Sequence, residues 1–300
     1  MRNHERSVLF CSLARYHRAG IPLDRGLSEW VAQIPPADRK ALRRMAAAVQ
    51  SGQPFDKAGL GSGVLLPWEA RLLAVGATHG RLDRTLDELA DYHRDATDWW
   101  VRLRLRLLFP GAVLLLGWLA LPLPRLIAGE LHVGTYLVQN LLLVVILVLS
   151  WRHLGRMRNL HALLDLLLPL GVIGKPVWHY RRYRFLGQLA RLHDAGLPML
   201  DALQVAINSI DSAYLRWQWS MATEAVRQGS GVSEALYHYR ALDDTGYALV
   251  ISGESSGRLG EMLGREASRL GKGVGLWLSG LVDWLPRFAY VLVLLLLFNR

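Results

Sequence analysis

Cysteine is almost missing from this 300-residue chain: Cys11 stands alone, which excludes an internal disulfide and any multi-cysteine metal site. Cys11 falls on an apolar helical pattern, where a lone thiol serves as a small buried side chain. A phosphate-binding loop is lacking too. Gly271-Lys272 is followed by Gly273 instead of Ser or Thr, and no G-x-x-x-x-G-K-[ST] spacing occurs, so ATP-driven work has to come from a partner. The first residues, Met1 to Arg6, are polar and lack the apolar core of a cleavable leader, which sets the expectation that the first domain stays in the cytoplasm.

Apolar and basic residues are what the chain has in plenty. Apolar residues make up 52% of it and the net charge is +10, with a positive mean hydropathy. A basic chain can bind nucleic acid, but here the placement of the charges points elsewhere. Arg102, Arg104 and Arg106 precede one apolar run, and Arg152, Arg156 and Arg158 follow another. Basic clusters at the edges of apolar segments mark the cytoplasmic flanks of membrane spans, so no direct nucleic-acid contact is expected.

The chain also contains one stretch twice. Ala19-Gly20-Ile21-Pro22 is answered by Ala195-Gly196-Leu197-Pro198, and Gly76-Ala77-Thr78-His79-Gly80-Arg81-Leu82 by Gly253-Glu254-Ser255-Ser256-Gly257-Arg258-Leu259. Leu13-Ala14-Arg15 and His17 align with Leu189-Ala190-Arg191 and His193. After a one-residue shift, Gly52, Ala58, Leu86 and Ala90 align with Gly229, Ala235, Leu263 and Ala267. The copies lie too far apart for a solenoid, so this is a tandem duplication.

Within each copy the apolar spacing is helical. Gly20 fits a helix stop and Pro22 the start of the next helix. Asp56 and Ser233 stand at equivalent places where each suits an N-cap. Leu82, Leu86, Leu89 and Ala90 form the stripe of a last helix with no stop signal, as do Leu259, Met262, Leu263, Ala267 and Leu270. The first copy should run on into an apolar segment from Leu107 to Pro124, and Tyr136 to Trp151 reads as a second span. Residues 152–178 read as a basic connector. The apolar tail from Phe288 to Phe298 needs Leu276 to Leu285 to cross a bilayer, which brings Asp283 and Arg287 in as a candidate intramembrane ion pair. The expectation is an all-α protein of two homologous helical-bundle domains with about three membrane helices. Residues 1–105 form the first domain, 106–153 a membrane hairpin, 154–272 the connector and second domain, and 273–300 the last span.

These residues resemble a known family. A helix ending in Ala-Gly-Leu-Pro, a Gly before Ser233-Glu234-Ala235-Leu236, the Gly253 to Leu259 box, and Pro169-Leu170-Gly171 ahead of Arg184-Phe185 and Leu189-Ala190 are similar to the type II secretion F domain. That domain occurs twice in inner-membrane platform proteins of type II secretion systems and type IV pili (GspF-like and PilC-like proteins). The resemblance implies a multi-pass protein of the bacterial inner membrane with its N-terminus and both large domains in the cytoplasm. It implies a base on which pilin or pseudopilin subunits assemble in a secretion, pilus or DNA-uptake machine. The partners it implies are a cytoplasmic secretion ATPase, other inner-membrane assembly components, membrane lipid and further copies of the chain. The first copy departs from the pattern with Ala77 where the second has Glu254.

Read alone, Gly253-Glu254-Ser255-Ser256-Gly257 is a G-x-S-x-G match, the elbow of a serine hydrolase, with Tyr247 to Ile251 passing for its strand. Three facts oppose it: the duplicate has Thr78 at that place, the flanks carry helical stripes, and no histidine follows Ser255. No catalytic residue, metal ligand or cofactor is expected. The paired glycines, Gly76 with Gly80 and Gly253 with Gly257, read as small surfaces for close helix packing, with Gly257 alternatively ending its helix. Glu254 reads as a solvated helix charge or as a partner-contact residue. Arg181, Arg182 and Arg184 form a patch for lipid headgroups or for an acidic ATPase surface. His17 and His193 read as satisfied core histidines.

Overall fold

The computed structural model describes residues 3–33, 36–94, 171–210 and 212–298, with 134, 136, 138 and 140–142; along 285–298 it describes the backbone alone. Among the described residues the chain is all helical. The expected span at 107–124, the basic cluster at 102–106 and most of the expected span at 136–151 lie outside them. So do the side chains of Asp283 and Arg287.

The duplication is visible helix by helix. The first copy contains α1 Asn3–Arg18, α2 Leu23–Gln33, α3 Pro36–Gln50, α4 Phe55–Ser62, α5 Pro67–Thr78 and a helix α6 over residues 82–94. The second contains α7 Gly171–Asp194, α8 Met199–Asn208, α9 Ala213–Arg227, α10 Val232–His238, α11 Asp244–Ser255 and α12 Leu259–Phe298. The one-residue shift falls between the second and third helices of each copy. Leu27 and Val31 answer the buried Leu203 and Ile207 before it, and Leu42 answers the buried Trp219 after it.

Both copies contribute to one contiguous apolar core. In the first, Leu9, Phe10, Leu13, Leu27, Leu42, Met45, Trp68, Leu72, Leu73 and Leu86 are buried. In the second, Phe185, Leu186, Leu189, Leu203, Leu215, Trp219, Leu236, Val250 and Leu263 are. Burial of this apolar surface is the main force holding short helices that would be marginal alone.

Residues Met1–Trp99 and Val177–Lys272 form one compact unit, so both copies belong to the same body. They meet there through Tyr92 of α6. Gln188 Nε2 donates to its hydroxyl at 3.4 Å, and the guanidinium of Arg191 lies 4.9 Å from its ring centroid. His79, at the end of α5, approaches Gly196 closely enough that an added Cβ would stand 3.2 Å from its ring.

A second unit contains Trp100–Pro176 and Gly273–Arg300. Its described side chains include exposed apolar ones: Val138 and Leu141 are each 65% exposed, and Leu276 is 74% exposed. Among the residues searched, no helix is long and apolar enough to cross a membrane.

Two local expectations change. The segment before the second copy is not all connector, because α7 begins at Gly171 and continues past Pro176. Asp56 and Ser233 are not N-caps: the caps are Pro54 and Gly231, and both polar residues sit in the first turn. The prediction placed the helix starts late because Pro and Gly at a cap offer no side-chain oxygen to read.

Candidate functional site

The box shared by the two copies is the place to begin. Gly76 and Gly253 lie in α5 and α11 where the last helix of each copy crosses. An added Cβ at Gly76 would stand 2.2 Å from Thr85 Oγ1, and one at Gly253 would stand 2.5 Å from Met262 Cγ. Thr85 and Met262 are themselves equivalent, so the glycine is the same close-approach point twice. Gly80 and Gly257 have φ of +65° and +70°, the left-handed conformation that ends α5 and α11. One glycine of each pair packs and the other turns the chain.

Ser255 sits in the last turn of α11, and its hydroxyl donates to the carbonyl of Ser252 at 3.1 Å. Thr78 does the same toward Val75 at 2.8 Å. Tyr247 to Ile251, the segment an elbow needs as a strand, is α-helix. Both hydroxyls are engaged in the same local bond, and neither is presented as a nucleophile.

Glu254 has a definite task inside the fold. Its carboxylate accepts the Val232 N–H at 2.6 Å, the Ser233 N–H at 2.9 Å and the Ser233 hydroxyl. It therefore caps α10 from the neighbouring helix, satisfying amides that Gly231 leaves open. Partial burial by itself raises its pKa, but the hydrogen bonds from Ser233 and Val232 outweigh that and hold the carboxyl below the ordinary value.

The arginine patch divides. Arg182 is only 8% exposed, and its guanidinium donates twice to the carbonyl of Arg240, at 2.9 and 2.5 Å. Burial lowers its pKa to about 10, against the opposing pull of Asp243 and Glu266. Arg181 and Arg184 stay half-buried at the surface. Arg240 is itself unusual, with φ of +60°, where the first copy has Gly63 at +74°. Among the predicted core histidines, His17 is exposed and His193 is half-buried, with Nδ1 3.4 Å from the Leu197 carbonyl. Both lie at the end of the first helix of their copy, where the buried stripe has run out.

The buried polar groups that matter most carried no motif. In the first copy Glu69 is fully buried in α5. Arg6 Nη1 donates to its Oε2 at 2.6 Å, the Leu66 N–H donates to the same oxygen at 2.7 Å, and His93 Nε2 lies 2.7 Å from Oε1. The His93 ring stacks on Phe10 with centroids 5.7 Å apart and meets Tyr92 edge-on at 5.2 Å. In the second copy the fully buried acid is Glu266, on α12. Arg269 bonds both of its oxygens at 2.6 and 2.7 Å and reaches Asp243 as well, at 2.6 and 2.7 Å. These bonds raise the pKa of Arg269, led by those to Glu266. They also hold Asp243 below its usual range against the opposing effect of burial. A single sequence signal was available: charged residues falling on apolar helical stripes, as Arg6, Glu69 and Glu266 do.

Among the described residues no cluster of His, Cys, Asp and Glu is arranged to hold a metal ion. Among the described residues the arrangement is one of packed helices, buried charge pairs and capped ends.

The model of the family described as "Type II secretion system (T2SS), protein F" matches residues 10–127 and again 185–298. The chain is 26% identical to the type II secretion system protein F of Vibrio cholerae, over 85% of this chain and 70% of the relative. It is 26% identical to the protein of that name from Aeromonas hydrophila, over 88% and 75%. It is 29% identical to the type 4 fimbrial assembly protein PilC of Pseudomonas putida, over 75% and 63%.

Proposed function

The chain belongs to the type II secretion system protein F family, and we propose that it is the inner-membrane platform of a secretion or pilus machine, coupling a cytoplasmic ATPase to assembly of pilin-like subunits. On this reading both helical modules face the cytoplasm, and the chain crosses the membrane within 106–153 and again in its C-terminal segment. The module does no chemistry. It receives a movement and passes it on.

The observation that carries the coupling is α12. It starts in the core of the second module, where Leu263, Ala267 and Leu270 are buried, and it runs without a break for 40 residues to Phe298. At about 1.5 Å per residue, its part beyond Lys272 is roughly 39 Å long, enough for a hydrocarbon layer of ~30 Å. A stiff helix rooted in a packed core turns displacement of the module into displacement of the span. The exposed Val138, Leu141 and Leu142 on the expected second span, and Leu276 on α12, support contact with lipid.

Rigid coupling is tested by inserting Gly-Gly-Pro after Gly273. The variant should reach the membrane and keep its partners on mild-detergent purification, yet fail in subunit assembly. Normal assembly would remove the coupling from the proposal. If wild-type chain purifies without a secretion ATPase or pilin-like subunit, the platform reading itself fails.

A further inference from the structure

The turn after α10 gives up stability to place one exposed cation. Arg240 stands there with φ of +60°, whereas every other left-handed residue among those described is a glycine. The hydrogen bonds match those of the first copy. The Arg240 N–H donates to Tyr237 and the Ala241 N–H to Leu236, as the Gly63 N–H donates to Leu60 and the Val64 N–H to Gly59. Such a helix ending favours glycine, so an arginine in it stores strain. A buried neighbour holds the strained residue in place. Arg182 gives two guanidinium bonds to the Arg240 carbonyl, where the equivalent Arg6 bonds the carboxylate of Glu69. The Arg240 side chain itself is exposed and makes no ion pair among the described residues. Strain fixed by its surroundings is a mark of a residue kept for what it binds.

The turn lies at the end of the module where α7 enters and α12 leaves. Arg182 follows Pro176 by roughly 9 Å of helix, and Asp243 is tied to Arg269, just before the module boundary at Lys272. Next to Arg240 in the chain, Tyr237 is 41% exposed and packs on Tyr247 with centroids 4.7 Å apart, and the exposed His238 meets Tyr239 edge-on at 4.9 Å. On either side of Arg182, Arg181 and Arg184 reach the surface. The acids of the turn are already engaged: Asp243 by Arg269, and Asp244 by the Tyr237 hydroxyl at 2.7 Å. Amphipathic rings beside an arginine make up the chemistry of a membrane–water interface, and a guanidinium matches a phosphate through paired N–H donors. We infer that Arg240 binds the phosphate of an anionic phospholipid headgroup, with Tyr237 and His238 beside it, and so seats the second module on the bilayer surface. The inference rests on the reading that α12 continues into the membrane beyond Lys272.

The test uses the full chain in nanodiscs of phosphatidylglycerol and phosphatidylcholine in roughly equal parts, with a spin label on a fraction of the headgroups. Cys11→Ser with His238→Cys carries a fluorophore beside Arg240, and Cys11→Ser with Leu276→Cys carries one on α12. Both probes should be quenched, and the one at 238 less so in phosphatidylcholine alone. Arg240→Gly should weaken the headgroup contact at 238 roughly fivefold, the worth of one basic residue at an anionic surface. It should leave quenching at 276 unchanged and should not lower thermal stability, which separates lipid binding from a role in the fold. Quenching at 276 without quenching at 238, or undiminished quenching at 238 in Arg240→Gly, overturns the inference and leaves the platform reading standing. Absence of quenching at both positions means that α12 does not enter the bilayer, and that reading falls with the inference. Release of the probe at 238 by inorganic phosphate, beyond that by chloride at equal ionic strength, makes free phosphate the ligand and overturns the lipid assignment.

Discussion

The two copies place a buried carboxylate beside equivalent buried arginines, Arg6 and Arg182, yet they draw it from different helices. In the first copy it is Glu69 on α5; the residue answering it in the second is Gly246. In the second it is Glu266 on α12; the residue answering it in the first is Leu89. The exchange is steric as well as electrostatic, because a Cβ on Gly246 would stand 2.7 Å from Glu266 Oε1. Helix capping is divided in the same way. Glu69 reaches back to the Leu66 N–H of its own helix start, while Asp243, answering Leu66, accepts from the Gly246 N–H at 2.8 Å. These are the two reciprocal halves of a capping box, one retained in each copy. A fold of this kind specifies where a charge must be satisfied, and leaves open which element supplies it.

The largest expected effect separates the two sites by solvent access. Glu69→Ala leaves Arg6 and His93 buried without their common acceptor and should destabilise the fold by about 3–5 kcal/mol in denaturant melts. Glu266→Ala should cost less, about 1–3 kcal/mol, because Arg269 is 40% exposed and can turn to water. Equal losses at the two sites would mean that access to water does not set the difference. The comparison sharpens in a swap. Adding Leu89→Glu to Glu69→Gly gives the first copy the arrangement of the second. It should recover roughly 1 kcal/mol or more relative to Glu69→Gly alone.

The glycine contacts come next. Gly76→Ala and Gly253→Ala should each cost about 1–3 kcal/mol by overpacking. The first should be worse, since Thr85 is β-branched and held at χ1 whereas Met262 is flexible. Reversal of that order would show that the backbone carbonyl of Arg258, 3.1 Å from the added Cβ of residue 253, limits the second site instead. A smaller contrast lies at the left-handed turn. Gly63→Ala should lose about 1 kcal/mol, while Arg240→Gly should gain a few tenths, read from the same melts.

How much of this could be read beforehand follows from the same division. The helices, the doubled order and the glycine box were legible because apolar spacing and glycine are tied to backbone geometry, which both copies must keep. Glu69, Glu266 and His93 were not, because matching one copy to the other sets each buried acid against a Gly or a Leu and conceals it. Arg182 was read as part of a surface patch with its neighbours Arg181 and Arg184. Sequence proximity does not show that one arginine in three turns inward to an Arg240 carbonyl 58 residues away. The role of Glu254 was hidden for a related reason: a cap delivered from another helix leaves no mark at the start of the helix it caps.

That cap gives the smallest contrast and the one with a sign in pH. The first copy puts an acid at the start of α4 from within, with Asp56 in its first turn; the second imports Glu254 to the start of α10. Because folding lowers the Glu254 pKa from its ordinary 4.5, the stability it adds is fully present above that value and is lost as pH falls through the lowered one. Glu254→Gln should therefore lie about 1 kcal/mol below wild type at neutral pH, the size of an N-cap, and the gap should close on acidification below about 4.5. Ala77→Glu offers the same acid to the first copy, where Asp56 already occupies the helix start, so it should bring no gain. A gain there would mean that the charge of Asp56 in the first turn does not satisfy the start of α4.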